Sequence, residues 1–316
     1  MSLPQEWTAK IRLPVICAPM YQVSTQQLVI AARKAGIAAG LPRANAPNIN
    51  VFRAWLEEIM GTDTQPYDPP LGVNLSTRMP QQEMEEHLAL CKQMGVDFII
   101  SATGDPTRLI QTAKQYGLKT FADAINLRFA RKSIEAGAEG IIAIGAGGGG
   151  HSGRINHLTL LSAIRKEFDG TVVMAGAVMD GKTIRAAEIL GADMVYMGTR
   201  FIASHESAAP DEYKQILLKS GVDDLLYTDE INGVHANWLT SSLEAQGLQP
   251  DNLPTRDPHK RGHDHLPSHI RPWKNIWSAG QGVEHIHTIQ TVDQIVNEIE
   301  SEYMRACKTP ILFGKD

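Results

Sequence analysis

The chain has few cysteines, no long apolar run and no excess of charge that would point to a polyanionic partner. Cys17, Cys91 and Cys307 are odd in number and widely spaced in 316 residues. They form no disulfide framework, and free thiols fit a reducing cytoplasm. No window approaches the ~20 apolar residues of a membrane-spanning helix. Residues 1–12 are polar and carry no apolar signal core, so a cytoplasmic location is the expectation. A net charge of −5 gives no reason to expect nucleic acid or an anionic membrane as partner. What remains is an ordinary globular composition, with 43% hydrophobic and 21% charged residues.

Short apolar runs alternate with amphipathic stretches along the first two thirds of the chain. The apolar runs at 13–18, 37–41, 71–75, 97–101, 118–122, 140–144, 171–175 and 193–197 read as strands. Helical periodicity fills the intervals, at 25–34, 48–60, 82–94, 106–116, 127–136, 157–168 and 182–190. Near-continuous apolar strands alternating with helices argue a parallel sheet covered on both faces. Eight such units argue an α/β fold of the (β/α)8 TIM-barrel type, expected as a single domain over 1–316. The cycle breaks at 228–275, rich in Pro, His and Asn, which reads as a lid-like excursion over one barrel face. Residues 291–307 then form a strong amphipathic helix that closes the barrel.

The chain is organised around Gly145-Ala-Gly-Gly-Gly-Gly-His-Ser-Gly153, where six of nine residues are glycine. A flexible linker is one reading of such a tract. Its frame argues otherwise, because a buried strand precedes it and a helix and another strand follow. A bare backbone there can lie against a flat or phosphorylated ligand. Catalytic groups of this fold sit on loops after the strand C-termini. Pro19 and Met20, Asn74, Thr103 and Gly104, Asp123, the tract with His151, Gly176 and Ala177, and Gly198 with Thr199 fall there. The loops after the seventh and eighth strands are the usual phosphate site, and Gly176, Gly198 and the Thr199 hydroxyl suit it. Small residues at those ends also serve tight turns. His151 stands beside that site with a side chain suited to proton transfer near neutrality.

Several segments resemble a known family. Val15-Ile-Cys-Ala-Pro-Met20, Gly72-Val-Asn-Leu75, Ser101-Ala-Thr-Gly-Asp-Pro106, the tract ending at Gly153, Ala175-Gly-Ala-Val-Met-Asp-Gly181 and Gly191-Ala-Asp-Met-Val-Tyr-Met-Gly-Thr-Arg-Phe201 carry it. They occur in the order found in FMN-dependent nitronate monooxygenases, and Trp277-Ser-Ala-Gly-Gln-Gly282 is similar to that group's late motif. The resemblance spans roughly residues 11–306. It implies FMN, with Ala18, Pro19 and Met20 against the isoalloxazine ring and Asn74 bonded to it. Gly149 and Gly150 would touch the ring or ribityl chain. Ala175, Gly176 and Ala177, with Met197, Gly198 and Thr199, would hold the phosphate. His151 would deprotonate a nitroalkane or orient a nitronate, which oxygen then converts to a carbonyl compound and nitrite. The chain departs from many members at Ile144, Gly147, Gly148 and Ala177, and Asp123 stands where some carry lysine. A carboxylate there is expected to pair with His151 and raise its pKa.

The same superfamily holds reductases of enoyl thioesters and quinones, so FMN-dependent reduction by NADH or NADPH is the alternative. The chain shows no dinucleotide-binding glycine fingerprint, but relatives bind the coenzyme without one. A non-catalytic barrel that binds a phosphorylated ligand is a third reading. His259, His263, His265 and His269 match no closed zinc spacing, so no metal is expected. Asn237, Trp238 and Leu239 are read as lid packing, Cys17 as core, and Lys260 with Arg261 as a solvated face.

Overall fold

The computed structural model describes residues 3–257, 259 and 262–309. Eight parallel strands close on themselves: β1 (Val15–Cys17), β2 (Ala38–Pro42), β3 (Leu71–Ser76), β4 (Phe98–Ala102), β5 (Lys119–Ala124), β6 (Gly140–Ile144), β7 (Thr171–Ala175) and β8 (Met194–Met197). Closure is made by Ile16 beside Tyr196 and Cys17 beside Met197. The expected TIM barrel is therefore the observed one.

Helices α1 (Gln5–Thr8), α2 (Gln26–Lys34), α3 (Ile49–Met60), α4 (Gln81–Gln93), α5 (Thr107–Gln115), α6 (Leu127–Ala136), α7 (His157–Arg165) and α8 (Gly181–Ile189) precede or separate the strands. Their starts are chemically marked. Asn48, Asn126, Asn156 and Asp180 each accept a backbone N–H of the first turn.

Side chains alternate in and out along each strand. The inward set begins at the N-terminal end with Phe98 and Phe121, whose rings lie 4.9 Å apart, and with Trp7 of α1 plugging the barrel against both. Gly72 and Gly140 make room for these rings, since a Cβ at either would come within 2.5 Å of one. Ile16, Ile100, Ile142, Val173 and Met194 fill the next levels. By the same period Asn74, Asp123, Ala175 and Tyr196 face inward nearer the strand C-termini.

After β8 the chain runs through α9 (Thr199–Ile202) and α10 (Asp211–Leu217) into a hairpin, β9 (Leu225–Thr228) with β10 (Ala236–Leu239), and then α11 (Thr240–Glu244). The excursion is thus more regular than its composition indicates. It has its own core of Ile231, Trp238, Leu243, Leu266, Ile270 and Ile276. Trp238 is fully buried there, as the lid-packing reading expected. Helix α12 (Val292–Ala306) returns against α8 and α2 and takes the place of the helix that β8 calls for. Gly181 allows this approach, because a Cβ there would sit 2.1 Å from the Tyr303 nitrogen. The Tyr303 hydroxyl donates to Glu188, and the Gly181 N–H donates to Glu302. Among the described residues no helix is long and apolar enough to cross a membrane.

Candidate active site

The segments expected at the site converge on one side of the barrel mouth. The turn after β1 is held rigidly. Ala18 N–H donates to the Met197 carbonyl at 2.9 Å, which ties it to β8. The Asn45 amide donates to the carbonyls of Met20 and Ser24, and its oxygen accepts the Gln22 N–H. Ser24 Oγ accepts the Met20 N–H. Gly198 lies against this turn, since a Cβ there would meet Met20 Sδ at 3.3 Å and Ala18 Cβ at 3.6 Å. Ala18, Pro19, Met20, Met197 and Gly198 are therefore one surface.

The glycine tract forms a second wall. It is packed against the turn after β7 and against the late segment 279–281. Gly176 has φ +99° and Ala177 φ +55°, and the Ala177 N–H donates to the Gly147 carbonyl at 3.3 Å. That amide, expected at a phosphate, is engaged by the tract itself. The Gln281 N–H also donates to Gly147, and the Gly280 N–H donates to Thr199 Oγ1 at 2.8 Å. A Cβ on Gly149 would come within 2.6 Å of the Gly280 nitrogen. Asn237 of β10 pins the tract from above by donating to the carbonyls of Ala146 and Gly148 at 2.8 and 2.7 Å. Gly150 is different: it is exposed, and a Cβ there would meet nothing within 4 Å. Asn74 faces the barrel interior from β3, in register with Pro42 and Ile100.

His151 closes the tract and is mostly covered. Its ring meets Trp273 edge-on, with centroids 5.0 Å apart. Trp273 adopts φ +61°, a conformation costly for a bulky residue, and its indole N–H donates to Ser278 Oγ. The Asn232 amide nitrogen lies 3.2 Å from His151 Nε2. The Asn232 oxygen accepts the Val234 N–H, which turns its NH2 toward the imidazole. This network assigns Nε2 as acceptor and leaves the proton on Nδ1. Burial pushes the His151 pKa down, and the Arg78 charge pushes it the same way. His151 is therefore neutral at neutral pH.

The expected pairing of Asp123 with His151 is corrected here. The charge that acts on His151 is the Arg78 cation, and its pKa falls rather than rises. Asp123 sits deeper in the barrel, where burial raises its pKa to about 7 and its Oδ1 has no hydrogen-bond partner.

Sequence reasoning missed Arg78, Asn232 and Trp273. Arg78 follows β3 on the barrel-mouth side and is exposed without an ion-pair partner among the described residues. It lines a cleft of about 490 Å³ with Thr77, Gly104, Asp105 and Arg108. An arginine just beyond a barrel strand was a visible signal. Asn232 and Trp273 gave none, because only the excursion's fold brings them over His151. The His-rich segment takes another course. His265 and His269 each set a ring nitrogen on a backbone carbonyl, of Glu230 and Gln246. No three metal-ligating side chains meet among the described residues. Pro258, Lys260 and Arg261 lie outside them.

A (β/α)8 barrel with a glycine-lined mouth and one covered, neutral histidine is the frame in which the chain's likeness to known proteins falls. A family model for nitronate monooxygenase matches residues 49–302, and the chain belongs to that family. It is 28% identical to a nitronate monooxygenase of Paraburkholderia phytofirmans, over 75% of this chain and 76% of that one. It is 29% identical to a Mycobacterium tuberculosis hydroxy-methyl-oxo-octahydroindene-carboxyl-CoA dehydrogenase, covering 74% of this chain but only 64% of that protein. Among solved structures, FabK from Thermotoga maritima superposes with a TM-score of 0.74 at 25% identity, covering 95% of each chain.

Proposed function

We propose that the protein binds FMN at the barrel mouth and oxidises a small alkyl nitronate with molecular oxygen, giving a carbonyl compound and nitrite. The residues present fit a flavin. The Ala18–Met20 turn offers a rigid face, a Cβ on Gly150 would meet only open space, and Asp123 Oδ1 is a buried polar atom without a partner. Ala18, Pro19, Met20, Asn74, Gly149 and Gly150 would hold the ring and ribityl chain. Ala175, Gly176, Met197, Gly198 and Thr199 would hold the phosphate, and Ala177, whose N–H is given to Gly147, would line it without donating. When bound, the flavin supplies the electron acceptor.

The observation that carries the substrate reading is the state of His151. Its Nε2 lone pair is occupied by Asn232, and its pKa is held low. A neutral imidazole of this kind donates through Nδ1–H rather than taking a proton through Nε2. It orients an anion, and Arg78 adds positive charge from across the mouth. Of the two roles open to His151, anion orientation is the better supported. Trp273 and the excursion cover the ring and limit water. We further propose that barrel and excursion act as one domain over 1–316, since Asn237 and the 279–281 segment are built into the tract.

The second reading is reduction of an enoyl thioester or quinone by NADH or NADPH. The likeness to a CoA-thioester dehydrogenase and to FabK favours it. The absorbance of purified protein under anaerobic conditions separates the two. Nitronate alone should change the flavin bands, with nitrite and oxygen uptake on re-aeration. Bands that ignore nitronate but bleach with NADH or NADPH refute the first reading and establish the second.

A further inference from the structure

Asp123 is the one inward carboxyl that the proposed chemistry does not use. It projects from β5 two residues above Phe121, into the space below the mouth. Its flanking strands bring no charge to it, only Ala102, Ile142 and Ile144. Asn74 on β3 brings a neutral amide. Tyr196 on β8 brings a phenol whose own pKa is raised by burial, by Asp123 and by Cys17 on β1. No cation acts on Asp123, and burial alone lifts its pKa to about 7. An uncompensated carboxylate is costly in such a site, and so is an unsatisfied buried oxygen. A neutral carboxyl carries one O–H donor and one acceptor oxygen, whereas a carboxylate only accepts. An isoalloxazine ring carries carbonyl oxygens and ring nitrogens that accept.

We propose that Asp123 binds the flavin ring as a neutral acid, donating its carboxyl proton as a hydrogen bond, so that ring binding above neutrality takes up a proton from solvent. The proposal rests on the flavin reading of the mouth. The balance is simple: ionised protein, one proton and one flavin give a protonated complex, with no covalent bond made or broken. Linkage then fixes the sign. Below the Asp123 pKa the free protein already holds the proton, and affinity is flat. Above it, affinity for the ring falls tenfold for each further pH step.

The test is calorimetric titration of flavin-stripped protein with riboflavin, which has no phosphate to ionise, in two buffers of different ionisation heat. At about pH 8 wild type should bind about tenfold more weakly than at about pH 6 and take up close to one proton, with almost none taken up at the lower pH. Asp123→Asn should bind with a flat pH profile and no uptake. FMN as a second probe gives the same difference between wild type and variant, with the phosphate contribution common to both. Binding without proton uptake, or equal uptake in Asp123→Asn, overturns the proposal and leaves the flavin reading intact. If neither flavin binds at any pH, the flavin reading fails and the proposal with it. Should the variant not fold, the wild-type curve decides: uptake that does not rise between about pH 6 and 8 overturns the proposal.

Discussion

Replacing His151 with alanine tests the state assigned to the imidazole. On the proposed reading, neutral His151 would give an anionic substrate one hydrogen bond from Nδ1–H, and a bond to a charged group contributes about 1.5–3 kcal/mol. Losing it should lower kcat/KM on a preformed nitronate about 10- to 100-fold. His151→Gln keeps an N–H donor and should recover part of the loss. The pH profile carries the sharper distinction. The pKa is shifted down from 6.5 by burial first and Arg78 second, so the ring is mostly neutral at about pH 7 and above. Wild-type kcat/KM on nitronate, followed by oxygen uptake, should therefore be flat from about pH 7.5 to about pH 8.5 as far as His151 is concerned. A general base acts only on the neutral nitroalkane, from which a proton must be taken: there its removal costs about 100- to 10,000-fold, while turnover of the preformed nitronate is spared. A loss confined to the nitroalkane, with nitronate turnover unchanged in His151→Ala, would refute the donor assignment.

Other consequences follow from the packing. Asp193 is 1% exposed and accepts from Arg165 and from the Val172 N–H; the Arg165 guanidinium keeps the carbonyls of Phe168, Gly170 and Gly191, so Asp193→Ala should cost about 1–3 kcal/mol in urea unfolding, with activity of the folded fraction unchanged. Gly153→Ala places a Cβ 1.9 Å from the Ile125 carbonyl and should destabilise by about 3 kcal/mol. Gly150→Ala meets nothing, so stability should stay within about 0.5 kcal/mol while FMN affinity falls; unchanged affinity would remove Gly150 from the flavin face. Asp123 is protonated in both folded and unfolded chains below pH 3.8, and only in the folded one between there and about 7, so its contribution declines over that window. In flavin-free protein Asp123→Asn should thus gain up to about 4 kcal/mol over wild type at about pH 8 and nothing at about pH 3.5, measured as urea midpoints; equal differences at both would refute the burial argument.

The barrel was legible because its strands are locally encoded. Runs such as Gly140–Ile144 and Thr171–Ala175 are apolar on both faces, and polar caps mark the helices between them. Strand ends then located His151 and the β1, β7 and β8 turns without any contact information. What stayed hidden was non-local. The hairpin of β9 and β10 is short, and its half-buried strand Leu225–Thr228 shows no sharp alternation. Asn232 and Trp273 reach His151 across 81 and 122 positions of sequence, and no period or spacing reports that. The sign of the His151 shift was misread for the same reason. Asp123 lies within β5 and His151 follows the adjacent β6, yet the Arg78 cation acts on the ring and the Asp123 carboxyl does not.

The glycine tract shows how one composition serves two purposes. Gly145, Gly149 and Gly153 are required by the chain itself, since a Cβ at each would come within 2.6 Å of His157, Gly280 or Ile125. Only Gly150 faces open space. A linker would leave its glycines free, whereas here the backbone is clamped by Asn237, Gln281 and Ala177. The clamped part positions the next residue, which is His151. Strain gathers in the same region: the four non-glycine residues with positive φ among those described are Gln22, Thr103, Ala177 and Trp273. The first three follow β1, β4 and β7, and the last covers His151. Each such conformation costs about 1–3 kcal/mol and persists only where surrounding contacts over-determine it. The barrel supplies those contacts from below and the excursion from above, so the excursion is part of the site's rigidity as well as its cover.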